Sequence, residues 1–312
     1  MTVYYNLQPE IMDVKNPVVT IGSFDGVHIG HKKIFSLVSE TAAKQEGEAI
    51  VITFTTHPRK ILTPATPPRI LTTAREKISA IEACGMDHIV MLPFTRELAS
   101  LSATDFLHNI IFYNFGKSHI VIGYDHAFGH NREGNYEFLK KASRHEGFEV
   151  TRVDPMDCDS KPVSSSWIRT EIEDGNITLA NSLLGREYTL SGLVVKGVGR
   201  GKTIGFPTAN IVPEDEDKVV PRDGVYAVKV LLGDGKIYDG MLNIGTNPTF
   251  SNLERSIEVN ILDFKRDIYN ENITIHFVER IRDEIKFSSV DDLVSQLKKD
   301  KEASVTILRS SS

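Results

Sequence analysis

Two imidazoles separated by two residues, His28 and His31, stand in the segment GSFDGVHIGH, Gly22 to His31. A strand-like apolar stretch precedes them, Gly26 permits a tight turn, and a helical pattern begins near Gly30. A strand-to-helix turn of this kind aims backbone N–H groups and the positive end of the helix dipole at an anion. Imidazoles at i and i+3 flank that same anion. The chemistry this suits is nucleotidyl transfer, in which negative charge grows on phosphate oxygens and aimed donors stabilise it. A phosphate nucleophile arrives already ionised, so no general base is needed there. A zinc site and plain surface histidines are the other readings of the pair; the glycine-bearing turn favours phosphate.

A second phosphate-handling stretch is VVKGVGRGKTIGFPTANI, Val194 to Ile211. Gly197, Gly199 and Gly201 let backbone wrap closely round phosphate, and Arg200 and Lys202 supply charge. The spacing fits neither a Walker A loop nor a dinucleotide fingerprint. In SSSWIR, Ser164 to Arg169, an arginine near a helix start offers phosphates a forked, permanent charge, or else serves a structural ion pair.

The elements that must position these groups differ between the two halves. Val18–Phe24, Ala49–Phe54, Ile89–Leu92 and His119–Ile122 are short β-rich runs separated by helical patterns, which predicts a parallel sheet covered on both faces. Ligands of such sheets gather at the carboxyl ends of the strands, where the motifs of this half fall. Past about residue 184, Tyr188–Lys196, Gly224–Leu232, Ile237–Ile244, Ser256–Leu262 and Asn272–Val278 read as successive strands, with GDGK at 233–236 as a hairpin signal. An antiparallel barrel or sandwich follows, closed by an amphipathic helix capped by Ser289 and carrying Val290, Leu293, Val294 and Leu297. The expected domains are residues 1–183 and 184–312. The acidic run PEDEDK at 213–218 reads as a solvated loop.

Composition sets the limits. The 312 residues suit two domains, and 40% hydrophobic with 25% charged residues is ordinary for a globular protein. A net charge of −6 speaks against a broad nucleic-acid footprint. Cys84 and Cys158 lie in no metal-like spacing and are expected as thiols. No basic n-region with an apolar core opens the chain, and no apolar run approaches the ~18 residues of a membrane helix, so a cytoplasmic enzyme is expected. The oligomeric state is not legible.

The motifs together resemble a known family. Gly22–His31 looks like the HxGH motif of the nucleotidyltransferase superfamily, in the form found in bacterial bifunctional riboflavin kinase/FAD synthetases. TFTTHPRKIL (Thr53–Leu62) resembles the family's histidine–proline motif through His57 and Pro58, with Thr55 and Thr56 replacing the usual acidic–proline pair. IGYDHAFGHNREG (Ile122–Gly134) resembles its flavin-side loop through Gly123, Asp125, Phe128 and Gly129, while His126 and Ala127 depart from the commoner residues. SSSWIR is similar to its Ser/Thr-rich Ile–Arg motif, and GFPTAN (Gly205–Asn210) to the Mg²⁺- and ATP-binding motif of riboflavin kinases.

The resemblance implies phosphorylation of riboflavin to FMN, then adenylylation of FMN to FAD with release of pyrophosphate, both using ATP and Mg²⁺. In the first half it implies His28 and His31 as catalytic, with Gly22, Phe24, Gly30, Ser164 and Arg169 at ATP; Asp25 contacts ligand or holds the turn. His57, Asp125 and Phe128 are implied at flavin, although His57 also suits a structured turn and Asp125 the ordering of its loop. In the second half Gly199, Gly201 and Thr208 are implied at ATP, and Thr208 and Asn210 at the metal, where hydroxyl and carbonyl oxygens are donors Mg²⁺ accepts. An alcohol must lose its proton there, which calls for a carboxylate. Glu258, in SIEVNILDF, matches the family's catalytic glutamate by position, with Glu254 and Asp263 as neighbours that compete. Asn243 and Arg282 match residues near flavin, Arg282 also suiting a surface ion pair. The literal HIGH of class I aminoacyl-tRNA synthetases, a flavin-binding module without activity, and an enzyme with one active half are the rival readings. The first would need a KMSKS-like loop, which is not visible.

Overall fold

The computed structural model describes residues 1–7, 14–197, 199–248 and 253–310. Runs of Val and Ile buried along their whole length, as in β2 (Val18–Ile21) and β3 (Ala49–Phe54), suit a sheet covered on both faces. With β1 (Thr2–Tyr4), β4 (His88–Leu92), β5 (His119–Gly123) and β6 (Val150–Val153) they pair in the order β1-β4-β3-β2-β5-β6, every pairing parallel. Alternate residues feed two cores. Val18, Val51, Ile89 and Val121 meet Ile34, Phe35 and Val38 of the helix Ile29–Lys44. Val19, Ile52, Val90 and Ile120 pack instead with Phe106, Leu107, Ile111 and Leu139.

The chain leaves β2 for β3 and β4 on one side, then returns to lay β5 and β6 on the other. The reversal falls between β2 and β5, and a crevice for ligands opens beyond strand ends at such a switch point. The stretch Val18–Phe24 remains a strand only to Ile21, because the left-handed φ of +45° at Phe24 and +86° at Gly26 bends the backbone away. The short β1 and the polar-rich β6 carry too little apolar pattern to be read from sequence.

The chain forms two units, Met1–Ser165 and Ser166–Ser312. Between β6 and the second unit runs a small antiparallel hairpin, β7 (Asp157–Cys158) with β8 (Lys161–Pro162). The helices Ser165–Asp174 and Ile177–Leu184 lead into the barrel. Asn181 ties the second of them down: its amide donates to the Phe277 carbonyl at 2.8 Å, and its carbonyl accepts from the Tyr188 N–H at 2.7 Å.

In the second unit β9 (Tyr188–Val195), β10 (Ala209–Pro213), β11 (Gly224–Leu231), β12 (Ile237–Pro248), β13 (Leu253–Ile261) and β14 (Asn272–Arg282) close an antiparallel barrel in the order β10-β13-β12-β11-β14-β9. Leu190, Val194, Val228, Leu242, Ile244 and Val259 are fully buried, and Tyr226 meets Phe277 edge-on at 5.4 Å. The GDGK turn joins β11 to β12 as expected, with Gly235 at φ +79° and the Leu232 N–H on the Lys236 carbonyl. The run 213–218 is not the wholly solvated loop its charge predicts. The acidic run exposes Glu214 and Glu216, yet Lys218 at its end is buried, its ammonium 4.8 Å from the Tyr188 ring centroid. The aromatic face supplies what water would otherwise give.

The C-terminal helix Val290–Ser310 starts where the Ser289 hydroxyl accepts the Asp292 N–H, and it packs on β11, β12 and β14. Ala227, Val278 and Leu308 form the apolar part of that seam.

Candidate active sites

In the first unit the geometry explains the spacing of the histidine motif. His28 takes the N-cap position of the helix Ile29–Lys44, and its ring stacks on His31 with centroids 3.6 Å apart and planes 21° from parallel. Gly30 permits this stack, because a Cβ there would stand 3.1 Å from His28 Cε1. The Val163 carbonyl also approaches that position, which brings Ser164 beside the helix start.

Phe24 turns its ring inward. It is 3% exposed, edge-on to His31 at 5.2 Å and to Phe35 at 4.8 Å, and it also closes over Gly22. Its side chain backs His31 and belongs to the core. Phe24 and Val27, both non-glycine residues at positive φ, are held there by full burial, and strain of this kind gathers at functional turns.

Asp25 holds the turn. Its carboxylate accepts from the Leu71 N–H at 2.9 Å, the Thr72 N–H at 3.0 Å and the Thr72 hydroxyl at 3.2 Å, while that hydroxyl accepts from the Gly26 N–H. Lys77, a residue the sequence did not single out, belongs to the same hub. It is 6% exposed and donates to the Phe54 carbonyl at the end of β3. Burial pushes its ammonium down to about 8, opposed by the charge of Asp25. The Thr73–Glu76 capping box announces this helix, but nothing in the local pattern marks Lys77 as inward-facing.

His57 and Asp125 also follow carboxyl ends of strands, those of β3 and β5. His57 caps the helix Pro58–Leu62, its Nδ1 accepting the Arg59 N–H at 3.2 Å. Asp125 is exposed beyond β5, and its carbonyl accepts from Arg132 Nη2 at 3.0 Å. Phe128 lies in the core against Phe106 at 5.0 Å and Phe138 at 6.3 Å, so it anchors the loop from beneath. The Ser165 hydroxyl donates to the Asp25 carbonyl at 2.8 Å, and Arg169 lies one turn further along the helix Ser165–Asp174.

In the second unit the register of three strands assembles the site. Glu258 on β13 faces Asn210 on β10 and Asn243 on β12 as direct antiparallel partners, so one carboxylate sits between two amides on a shared face. The Thr208 hydroxyl donates to Glu258 Oε2 at 3.1 Å, and the Ser256 hydroxyl to Oε1 at 3.3 Å. Asn260 donates to the Pro207 carbonyl and pins the GFPTAN segment to β13. Ser256, Glu258 and Asn260 alternate with buried Ile257, Val259 and Ile261, a period-two signal that was available in the sequence.

The glycines make room. A side chain on Gly197 would overlap the Asn210 amide, and one on Gly201 would strike the Phe206 carbonyl. Gly199, at φ +76°, turns the backbone into the short helix Arg200–Thr203. The side chains of Arg200 and Glu254 lie outside the described residues.

Arg282 on β14 pairs with Val225 of β11, which in turn pairs with Asn243, so it continues the same row. Its guanidinium grips Asp300 of the C-terminal helix through Nε at 2.9 Å and Nη2 at 2.6 Å, and its Nη1 donates to the Asp283 carbonyl. Asp300 is 1% exposed and also accepts from Gln296, so Arg282 fastens the helix to β14.

Comparison with known proteins gives each half a family. The family model for FAD synthetase matches residues 10–167, and that for riboflavin kinase matches residues 184–308. The bifunctional riboflavin kinase/FMN adenylyltransferase of Escherichia coli K12 is 36% identical over 91% of this chain and 90% of its own. That of Listeria monocytogenes is 38% identical over 92% and 91%. A crystal structure described as a macrolide-efflux protein from Streptococcus pneumoniae has a TM-score of 0.87 and 34% identity, covering 97% of this chain and 99% of that one. Among the described residues no helix is long and apolar enough to cross a membrane. The chain belongs to the family of bifunctional riboflavin kinases and FMN adenylyltransferases, the FAD synthetases.

Proposed function

We propose that the two constellations divide the two reactions of this family, the barrel making FMN and the parallel-sheet half making FAD. In the barrel Glu258 accepts the proton of a ribityl hydroxyl of riboflavin. The freed oxygen bonds the γ-phosphorus of ATP, and ADP departs with the electrons of the broken bond. Thr208 and Ser256 orient the carboxylate through their hydrogen bonds, and Asn243 borders it on the flavin side. Gly199 and Gly201 let backbone approach the nucleotide phosphates.

The Thr208 hydroxyl and Asn210 carbonyl are hard oxygen donors beside a carboxylate, a set that fits Mg²⁺ completed by nucleotide phosphates and water. When bound, that ion neutralises phosphate charge.

In the first half a phosphate oxygen of FMN bonds the α-phosphorus of ATP, and pyrophosphate leaves with the electrons of the bond that breaks. His28, His31 and the N-terminus of the helix Ile29–Lys44 stabilise charge on the α-phosphate, with Gly22, Gly30, Ser164 and Arg169 lining the nucleotide. The backbone of Phe24 joins them while its ring backs His31. His57 and Asp125 border the flavin, and Phe128 holds the loop that carries Asp125. Residues 1–183 are the adenylyltransferase domain and 184–312 the kinase domain, the enzyme working in the cytoplasm where ATP and flavins are used.

The observation that carries this reading is the row Asn210, Glu258 and Asn243 with Thr208 bonded to its central carboxylate. It is tested by incubating the protein with riboflavin, ATP and Mg²⁺ and separating flavins over time. FMN is expected first and FAD after it. FAD from supplied FMN with none from riboflavin would remove the barrel's role, and FMN without FAD would remove that of the first half.

A further inference from the structure

Lys77 stands on the helix Ala74–Glu82, which follows the loop that receives Asp25. It is 6% exposed, and its ammonium donates to the Phe54 carbonyl at 3.1 Å. Phe54 is the last residue of β3, three before His57. Beyond it the Thr55 N–H bonds the Leu92 carbonyl at 2.9 Å, and the chain then turns into the cap of the helix Pro58–Leu62. On its other side the ammonium is acted on by the charge of Asp25, three residues before His28. Asp25 is itself 2% exposed and tied to its surroundings at both ends. Its carboxylate accepts from the N–H groups of Leu71 and Thr72, and its carbonyl accepts from the Ser165 hydroxyl. The histidine turn, the stretch leading to His57 and the helix start beside Ser164 therefore meet at one buried carboxylate and one buried ammonium.

Packing alone does not call for a charge here. Burial pushes the ammonium down to about 8 even against the favourable charge of Asp25, so the protonated group costs the folded state stability at neutral pH. An apolar side chain of the same length would fill the space without that cost. Among the described residues, the charge acting on Lys77 is that of Asp25 from the turn. The end of β3 faces it with a neutral carbonyl, and the Glu76 carboxylate of its own helix accepts from the Thr73 N–H. What the ammonium adds is a simultaneous hold on two segments that come from different strands.

We propose that Lys77 is a positioning residue for adenylyl transfer, its ammonium fixing the histidine turn through Asp25 and the His57 segment through the Phe54 carbonyl. The inference rests on the assignment of FAD formation to this half. Lys77 acts through these two segments and gives nothing to substrate itself. Once it loses its proton, the buried Asp25 carboxylate no longer faces a positive charge and the turn is held less firmly. The same contact therefore sets an alkaline limit on FAD formation that riboflavin phosphorylation does not share.

The test is FAD synthesis from FMN and ATP by the full chain, wild type against Lys77→Met, followed from about pH 7 to about pH 9.5. At the lower pH Lys77→Met is expected to reduce kcat by about tenfold to a hundredfold, the scale of displacing reacting groups by up to about 1 Å. KM for FMN and for ATP should stay within about threefold, and riboflavin phosphorylation within about twofold. As pH rises through about 8 the wild-type kcat should fall toward that of the variant, because the two proteins then carry the same charge at this position. An unchanged kcat in Lys77→Met overturns the proposal while FAD formation by the wild type keeps the assignment of the half. A deficit that is the same at every pH reduces Lys77 to a space-filling role and overturns it. So does a rise in KM with kcat intact, which would make Lys77 a binding residue, or an equal loss in riboflavin phosphorylation, which would mark general damage. No FAD from wild type removes the assignment and the inference together. If Lys77→Met does not fold, the wild type decides by itself: FAD formation must show an alkaline limb near pH 8 that riboflavin phosphorylation lacks, and two parallel profiles overturn the proposal.

Discussion

The two halves build phosphate chemistry from opposite kinds of backbone. In the parallel-sheet unit the working groups sit on loops beyond strand ends, and rigidity is imposed from behind. Phe24 and Val27 are locked at positive φ by burial, Asp25 is saturated by Leu71 and Thr72, and Lys77 ties the hub to the end of β3. In the barrel the groups sit on the strands themselves, and register alone sets Glu258 between Asn210 and Asn243. A loop site needs supports that never touch ligand. A strand site inherits its precision from the ladder, so its supports are the ladder's neighbours, Ser256 and Asn260. The chemistry follows the same division. The barrel's alcohol needs a fixed base, whereas the sheet's phosphate needs only donors aimed at charge.

The sharpest way to break this comparison is to remove the proposed base. Glu258→Gln should lower riboflavin phosphorylation by about 10²- to 10⁴-fold and leave FAD synthesis from FMN within about twofold, read in separate steady-state assays. Retained phosphorylation would return the role to a neighbouring carboxylate. His28→Ala should do the converse, lowering FAD synthesis by about 10²- to 10³-fold. Equal losses in both assays would erase the division of labour.

Two stability measurements sharpen the contrast in supports. Asp300→Ala leaves the largely buried Arg282 guanidinium without its carboxylate, so the unfolding free energy in urea should fall by about 3–5 kcal/mol. A change near zero would mean that the C-terminal helix docks through its apolar seam alone. In the other half Lys77→Met should change how stability depends on pH. The folded chain releases the Lys77 proton near pH 8, while the unfolded chain keeps it to 10.5. Between those values the unfolded state binds more protons, so wild-type stability rises with pH. Relative to Lys77→Met, wild type should gain about 2 kcal/mol between pH 7 and pH 10. Parallel curves for the two proteins would place the ammonium in water rather than in the hub.

Local spacing made the histidine turn legible, since strand, glycine and helix follow one another within ten residues. The change from helix-separated runs to successive strands was visible for a similar reason, because periodicity is a property of neighbours. Lys218 and Lys77 were not legible. Each stands in a polar stretch that reads as surface, and only the packing of Tyr188 or of β3 turns it inward. Phe24 and Phe128 lie inside motifs, yet a motif does not say which side of a loop faces the core.

Arg282 shows the same limit at longer range, since the group that claims it lies 18 residues away on another element. Residue order alone therefore determined the two kinds of domain, the phosphate turn and the identity of the acid–base candidates. Only the tertiary structure decided which polar side chains are free for ligand and which are spent on the fold. That choice depends on burial and on partners distant in the chain, and neither is a property of a short stretch of residues.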